Sequence, residues 1–487
     1  MSSSVHPADA PPAAADAGAP DRRPFWSVVR EALHGSQHDY SRGPLGRAIL
    51  LLAVPMVLEM AMESVFAVTD IFFVAHLGPA ATAAVGLTES LLGAVYALAI
   101  GLSIAATAVV ARRVGEQDPT GAARAAGQAV LLSAVLAVLL GAAGVALAPT
   151  LLRMMGATPD VLATGLGYTR VMLGGEASII LLFVANAIFR GAGDPAVAMR
   201  TLILANGINI VLGPLLIYGP GPLPALGVTG AAVATTIGRS TGAAVALWQL
   251  TRAARGGEAT RLRLRAADLR PDGAQLRALA GLAGSATLQN AVNTVSWVFL
   301  VRVVAVFGAT ALAGYTVAIR LVIFALLPAW GLSNAAATLV GQSLGAKDPA
   351  RAERAVWTTG WYNAAFLGVV GLAFVLWAPA LVGVFTPDAE VQRVAARCLR
   401  IVSSGFVFYA FGLVLTAAFN GAGDTRTPTW LNLLVFWAFE IPLAWVLARP
   451  LGWGPDGAFA AVAISFSTLA LVSAVVFRRG AWKTRTV

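Results

Sequence analysis

The sequence predicts an all-α polytopic membrane protein, with twelve transmembrane helices in two six-helix lobes related by a pseudo-two-fold axis along the membrane normal. Three observations carry this. Apolar residues make up 58% of the 487, only 12% are charged, and the mean hydropathy is +0.76, whereas a soluble protein carries about a quarter charged residues. The chain also divides into apolar stretches long enough to cross a hydrocarbon core, which takes roughly 20 residues. Finally, it is written twice. One offset of 230 residues carries Gly115, Asp118 and Pro119 to Gly345, Asp348 and Pro349, Ala148-Pro149 to Ala378-Pro379, Gly191–Asp194 to Gly421–Asp424, and Gly78 to Gly308. A single offset at separate landmarks marks a duplicated unit, an architecture whose halves meet around a central path.

The spans fall at 48–76, 85–111, 125–148, 160–189, 197–218 and 228–251, then at 276–306, 311–342, 355–378, 390–419, 428–448 and 456–477. Several exceed the bilayer thickness, which predicts tilts, kinks or protruding ends. Pro55, Pro214, Pro328 and Pro442 lie inside spans, where each removes a backbone hydrogen bond and predicts a bend. Residues 1–44, rich in Ala, Pro and Asp and without the apolar core of a secretory signal, are expected to form a disordered cytoplasmic tail. Within it, PFWSVVREAL (24–33) has the pattern of a short interfacial helix with Phe25, Trp26, Val29 and Leu33 towards lipid; an unstructured segment is the alternative. The lobes are then 45–250 and 275–478, joined by an Arg-rich cytoplasmic linker at 251–274 and followed by a cytoplasmic tail at 479–487.

Charge placement gives the orientation. Of 34 Lys and Arg, 25 fall in the two tails and the even-numbered loops, so the positive-inside rule puts both termini in the cytoplasm. Six helices per lobe is an even number, so both halves enter from one side, as the axis along the membrane normal requires. The basic pI near 10.5 therefore reports topology, and no nucleic-acid partner is expected. One cysteine, Cys398, excludes an internal disulfide and a cysteine-rich metal site.

The strongest chemical signal lies in the first span. Glu59, Glu63 and Asp70 project at about 0°, 40° and 20° on a helical wheel, so one narrow stripe holds all three. Facing lipid, each charge would cost at least about 3 kcal/mol, so the stripe faces the bundle interior or water. Burial disfavours the charged form of a carboxylate, and neighbouring acids disfavour it further. Such a group can bind and release H⁺ near neutral pH, and among neutral oxygens it can hold Na⁺ instead. The competing reading is a set of structural, hydrogen-bonded carboxylates.

Several stretches resemble the MATE (multidrug and toxic compound extrusion) transporters: Pro55 through TDIFFVAHLG to Leu87, FRGAGDP (189–195), NIVLGPLLIYG (209–219) and GVTGAAVAT (227–235). In the second half ALAGYTVAIR (311–320), LVGQSLGAKDP (339–349) and AAFNGAGDTRTP (417–428) extend the likeness, which runs from about residue 45 to 478. The resemblance implies two lobes around a cavity and export of organic compounds in exchange for H⁺ or Na⁺. It matches Asp70, Asn209 and Thr235 to the family's first-lobe cation site. The family's second acid, four residues after the asparagine, is here Gly213, before Pro214. That loss favours protonation of one acid over holding a desolvated cation.

Repeat mates of the stripe are Gln289, Asn293 and Leu300. The second lobe keeps some polarity there and drops every acid, which makes the chain look closer to the family's DinF-like branch. Gln289 and Asn293 are candidates for substrate hydrogen bonds, against plain interhelical packing worth about 1 kcal/mol. Glu440, two residues before Pro442, is a candidate second proton site or counter-charge for a cationic substrate. Arg320 is expected to face the cavity and pair with an acid. Glu89, Arg170, Glu176, Arg239 and Arg302 are expected near helix ends or cavity rims, with snorkelling or structural pairing as their roles, and His76 at the membrane interface. Phe183, Tyr315, Phe324, Trp330, Trp361, Phe408 and Tyr409 are candidates to line a substrate path.

No Walker loop, metal-ligand histidine cluster or nucleophile–base pair is present, so neither an enzyme nor an ATP-driven exporter is expected, and no cofactor. The expectation is a monomeric secondary antiporter of the inner membrane, exporting cationic amphiphilic, drug-like compounds by alternating access with H⁺ or, second, Na⁺. The alternatives are a lipid-linked oligosaccharide flippase of the same superfamily, which typically has more helices and a strongly cationic cavity, and a transport-silent scaffold or receptor.

Overall fold

A computed structural model of the chain describes residues 25–35, 40–219, 224–252 and 262–486, without the side chains of residues 67, 68, 70, 71 and 75. Its long elements are helical. Before the first lobe stands α1 (Phe25–His34); the lobe itself holds α2 (Leu45–Ala75), α3 (Pro79–Gly115), α4 (Pro119–Met154), α5 (Pro159–Gly174), α6 (Glu176–Gly191), α7 (Pro195–Tyr218) and α8 (Val228–Thr251). The second holds α9 (Gly273–Ala305), α10 (Ala309–Gly345), α11 (Pro349–Gly383), α12 (Ala389–Ser403), α13 (Phe406–Gly421), α14 (Arg426–Asn432), a π-helical turn at Leu433–Glu440, α15 (Ile441–Ala448) and α16 (Pro455–Arg478). Among the described residues ten helical stretches are long and apolar enough to cross a membrane, and the bent pair α12–α13 makes eleven. The twelfth crossing is α8, whose Thr- and Gly-rich sequence around Arg239 is less apolar. The two-lobe, twelve-span architecture stands as expected.

The repeat recurs in backbone geometry as well as in sequence. Gly78 and Gly308 begin α3 and α10 with φ of 95° and 98°, values open to glycine because it has no Cβ. Asp118 and Asp348 cap α4 and α11, each carboxylate accepting from a backbone N–H three residues on at 2.8 Å. Spans four and ten, expected to be single helices, are interrupted at repeat mates: Gly175 parts α5 from α6, and Gly405 parts α12 from α13, where the bend is 56°. A glycine inside an apolar run leaves hydropathy untouched while weakening the helix, which is why apolarity alone missed both breaks. The prolines act unequally. Helices α2, α7 and α10 run through Pro55, Pro214 and Pro328, whereas Pro442 follows the π turn.

Symmetry-related glycines build the seam between the lobes. A Cβ on Gly101 of α3 would stand 2.1 Å from Thr287 Oγ1 on α9, and one on Gly331 of α10 would stand 2.6 Å from the Met56 carbonyl on α2. A Cβ on Gly115 would stand 2.0 Å from the Gln342 carbonyl oxygen, and one on its mate Gly345 would stand 2.2 Å from the Arg112 carbonyl oxygen. These contacts lie in the halves of the helices that end at the basic loops. Towards the other end, Gly78, Gly86 and Gly93 of α3 and Gly308 meet no atom within 4 Å. Among the described residues, these tight glycine contacts between the lobes lie on the basic side.

Terminal segments fold over that basic side. Helix α1 buries Val28 and Ala32 and leaves Phe25 and Trp26 exposed; Arg47 pairs with Glu31 at 2.7 Å. From the second lobe, the buried Arg351 donates to the carbonyls of Tyr40, Arg42 and Gly43. At the other end of the chain Trp482 is buried on Phe477, Lys483 pairs with Glu353, and Arg112 of the first lobe donates to the Arg485 carbonyl. Residues 1–24 and 253–261 lie outside the described residues.

Candidate coupling site in the first lobe

Two of the three striped acids meet arginines from other helices. Glu59 is 3% exposed and accepts from Arg190 Nη1 of α6 at 2.6 Å and Asn186 Nδ2 at 3.5 Å. Thr201 of α7 in turn donates to Asn186 Oδ1 at 2.9 Å, which fixes the amide's orientation. Glu63, one turn on, accepts from Arg239 Nη2 of α8 at 2.8 Å and Asn206 Nδ2 of α7 at 3.3 Å. Arg239 is 2% exposed, and its guanidinium lies 5.1 Å from the Phe66 ring centroid, a cation–π distance. Glu59 and Glu63 therefore face the lobe interior, as the cost of a lipid-facing charge demands.

Arg239 departs from expectation. It sits mid-helix and fully buried rather than at a rim, and Arg190, counted from sequence as a loop positive, reaches inward. A basic residue centred in an apolar span needs an anionic partner, and that is the signal that could have found Arg239. Arg190 left no such trace because it ends its helix.

Asn209 Nδ2 donates to Thr235 Oγ1 at 2.7 Å, both buried, joining α7 to α8. One turn further, a Cβ on Gly213 would meet only Phe73 at 3.8 Å, ordinary contact, so the missing acid reflects sequence rather than lack of space. Asp70 stands on α2 seven residues beyond Glu63, and its side chain lies outside the described residues.

The second lobe holds the remaining candidates. Gln289 is buried, and its Oε1, like Asn293 Oδ1, has no hydrogen-bond partner among the described residues. Leu300 is buried. Arg320 is exposed and lies within electrostatic range of Glu89 on α3, without an ion pair among the described residues. Glu440 is 4% exposed at the end of the π turn. Of the aromatic candidates, Tyr315 and Tyr409 are buried inside the second lobe and line no open path. Phe324, Trp330, Trp361 and Phe408 are exposed, and Phe183 packs against Tyr96 with ring centroids 5.9 Å apart.

Comparison with known proteins bears on this arrangement. The MatE family model matches residues 55–215 and 285–446, once in each lobe. The chain is similar to the probable multidrug resistance protein NorM of Thermotoga maritima, 25% identical over 446 residues, covering 91% of this chain and 94% of that one. It is also similar to the FAD transporter of Shewanella oneidensis, 25% identical over 408 residues, 84% of this chain and 89% of the other. Among solved structures it superposes on an outward-facing conformation of a multidrug resistance MATE family transporter of the MOP superfamily, with TM-score 0.85 and 26% identity over 92% of this chain and 99% of that one.

Proposed function

Because the chain belongs to the MatE family of membrane transporters, we propose that it is a multidrug efflux antiporter that exports cationic amphiphilic compounds in exchange for H⁺. It works in the inner membrane with both termini cytoplasmic, a reading the basic loops support, and the absence of acids from the second lobe's stripe positions supports a DinF-like member. The observation that carries this reading is the acid stripe on α2, with Glu59 and Glu63 each matched by one arginine. Those pairs neutralise two acids; the third acid of the sequence stripe is Asp70, which the resemblance groups with Asn209 and Thr235. Protonation is favoured over Na⁺ because Gly213 supplies no second acid.

From the outward-open form Asp70 takes up H⁺, which lowers affinity for a cationic substrate and releases it outward. The lobes then rock about the glycine seam, and H⁺ leaves on the cytoplasmic side. Coupling needs only that the two ligands prefer different states. The likeness to an FAD transporter supplies the competing substrate class, an anionic nucleotide. Proteoliposomes under a pH gradient decide between them: movement of a cationic dye and not of FAD is expected, and the reverse would reassign the substrate.

A further inference from the structure

The second lobe lacks the ion pairs of the first yet buries a carboxyl of its own. Glu440 is 4% exposed, forms no ion pair or hydrogen bond with the described residues, and ends the π turn Leu433–Glu440, two residues before Pro442. Proline cannot donate to the helical ladder, and single π turns concentrate at functional sites. The titratable groups around it are Tyr315 of α10 and Tyr409 of α13, both within electrostatic range of its carboxyl. Both hydroxyls are buried and without a hydrogen-bond partner among the described residues. Cys398 of α12 lies in range of both tyrosines. Asp456, at the start of α16, is in range of Cys398 and paired with Arg397 at 3.2 Å. From α9 the contact is neutral: Trp437 of the π turn donates its indole N–H to the Val292 carbonyl at 3.0 Å.

We propose that Glu440 is a second proton-binding carboxyl, buried inside the second lobe at the end of the π turn. The shell selects the ligand. Tyr409 lies face to face on Phe466 at 3.7 Å, Phe466 packs on Phe436, and Tyr315 stacks on Phe459, so aromatic rings occupy the space a drug would need. A metal cation needs a shell of several oxygens, and this cluster offers one carboxyl and two phenols. A proton needs one oxygen. On its loss, the uncompensated charge is stabilised only if helix movement brings a tyrosine hydroxyl within hydrogen-bond reach, since neither donates to Glu440 in this structure. That ties the protonation state to the mutual placement of α10, α13 and the π turn. A coupling role for Glu440 rests on the proton-antiport reading above, but proton binding itself does not.

The test is pH-titrated infrared difference spectroscopy on the purified full-length protein. A protonated-carboxyl C=O band should be present in wild type and Asp70→Asn, absent in Glu440→Gln, and shifted in pH midpoint in Tyr409→Phe. Identical carboxyl bands in wild type and a folded Glu440→Gln would overturn the proposal. Should Glu440→Gln fail to fold, Tyr409→Phe carries the test, since it keeps the ring packing; an unmoved midpoint there would also overturn it. Loss of pH-driven transport in Asp70→Asn, with the band retained, separates this site from the first-lobe site.

Discussion

The two lobes share a backbone and differ in charge. Glycine-capped helix starts, aspartate caps and mid-span breaks recur at repeat mates. The ion pair Glu59–Arg190 becomes Gln289 and Asn420 at the same positions, both neutral. Glu63 becomes Asn293, and its partner Arg239, in the register that carries Gly227 to Gly454, becomes Phe466. Acid and base change together, which is what the cost of an unmatched buried charge requires. The duplicated fold is thus a scaffold on which one copy holds paired charges and the other holds amides and a lone carboxyl, Glu440. The seam, by contrast, uses both copies alike.

The largest effect expected from breaking this contrast is at Arg190. Removing it by Arg190→Ala leaves the Glu59 carboxylate buried and uncompensated, at a cost of about 3–5 kcal/mol, read as a fall in the thermal unfolding midpoint of detergent-solubilised protein. Asn420→Ala, which removes an amide oxygen without a hydrogen-bond partner among the described residues, should cost much less. The double change Glu59→Gln with Arg190→Asn installs the second lobe's residues in the first and should restore most of the loss.

Seam substitutions come next. Gly115→Ala and Gly345→Ala each drive a methyl into a facing carbonyl and should destabilise by a similar amount, about 1–3 kcal/mol. Gly93→Ala, in open space, should be neutral or stabilising by up to about 1 kcal/mol through helix propensity. Unequal responses of the two seam mates in the same unfolding assay would break the symmetry. A small effect is also expected at Thr235→Val, which removes the hydroxyl that receives the Asn209 amide. It should cost about 1 kcal/mol, while transport rates, measured in vesicles, fall more than stability does.

Much of the fold was legible in sequence because apolar length and a fixed offset are local signals. The stripe of Glu59, Glu63 and Asp70 followed from helical periodicity alone. Their partners did not: Arg190 lies 131 residues from Glu59, and Arg239 lies 176 from Glu63, and no periodicity encodes which helices pack side by side. The π turn was hidden for a similar reason. Pro442 announced a bend, but the choice of a π turn over a kink is made by packing around Trp437 and Phe436.

The most direct test of the first lobe as the coupling lobe is efflux of a fluorescent cationic dye from proteoliposomes, under a pH gradient alone or a Na⁺ gradient alone, in wild type and Asp70→Asn. Transport driven by the pH gradient and lost in the mutant is the expected result. Transport driven by Na⁺, or pH-driven transport undiminished in Asp70→Asn, would contradict it.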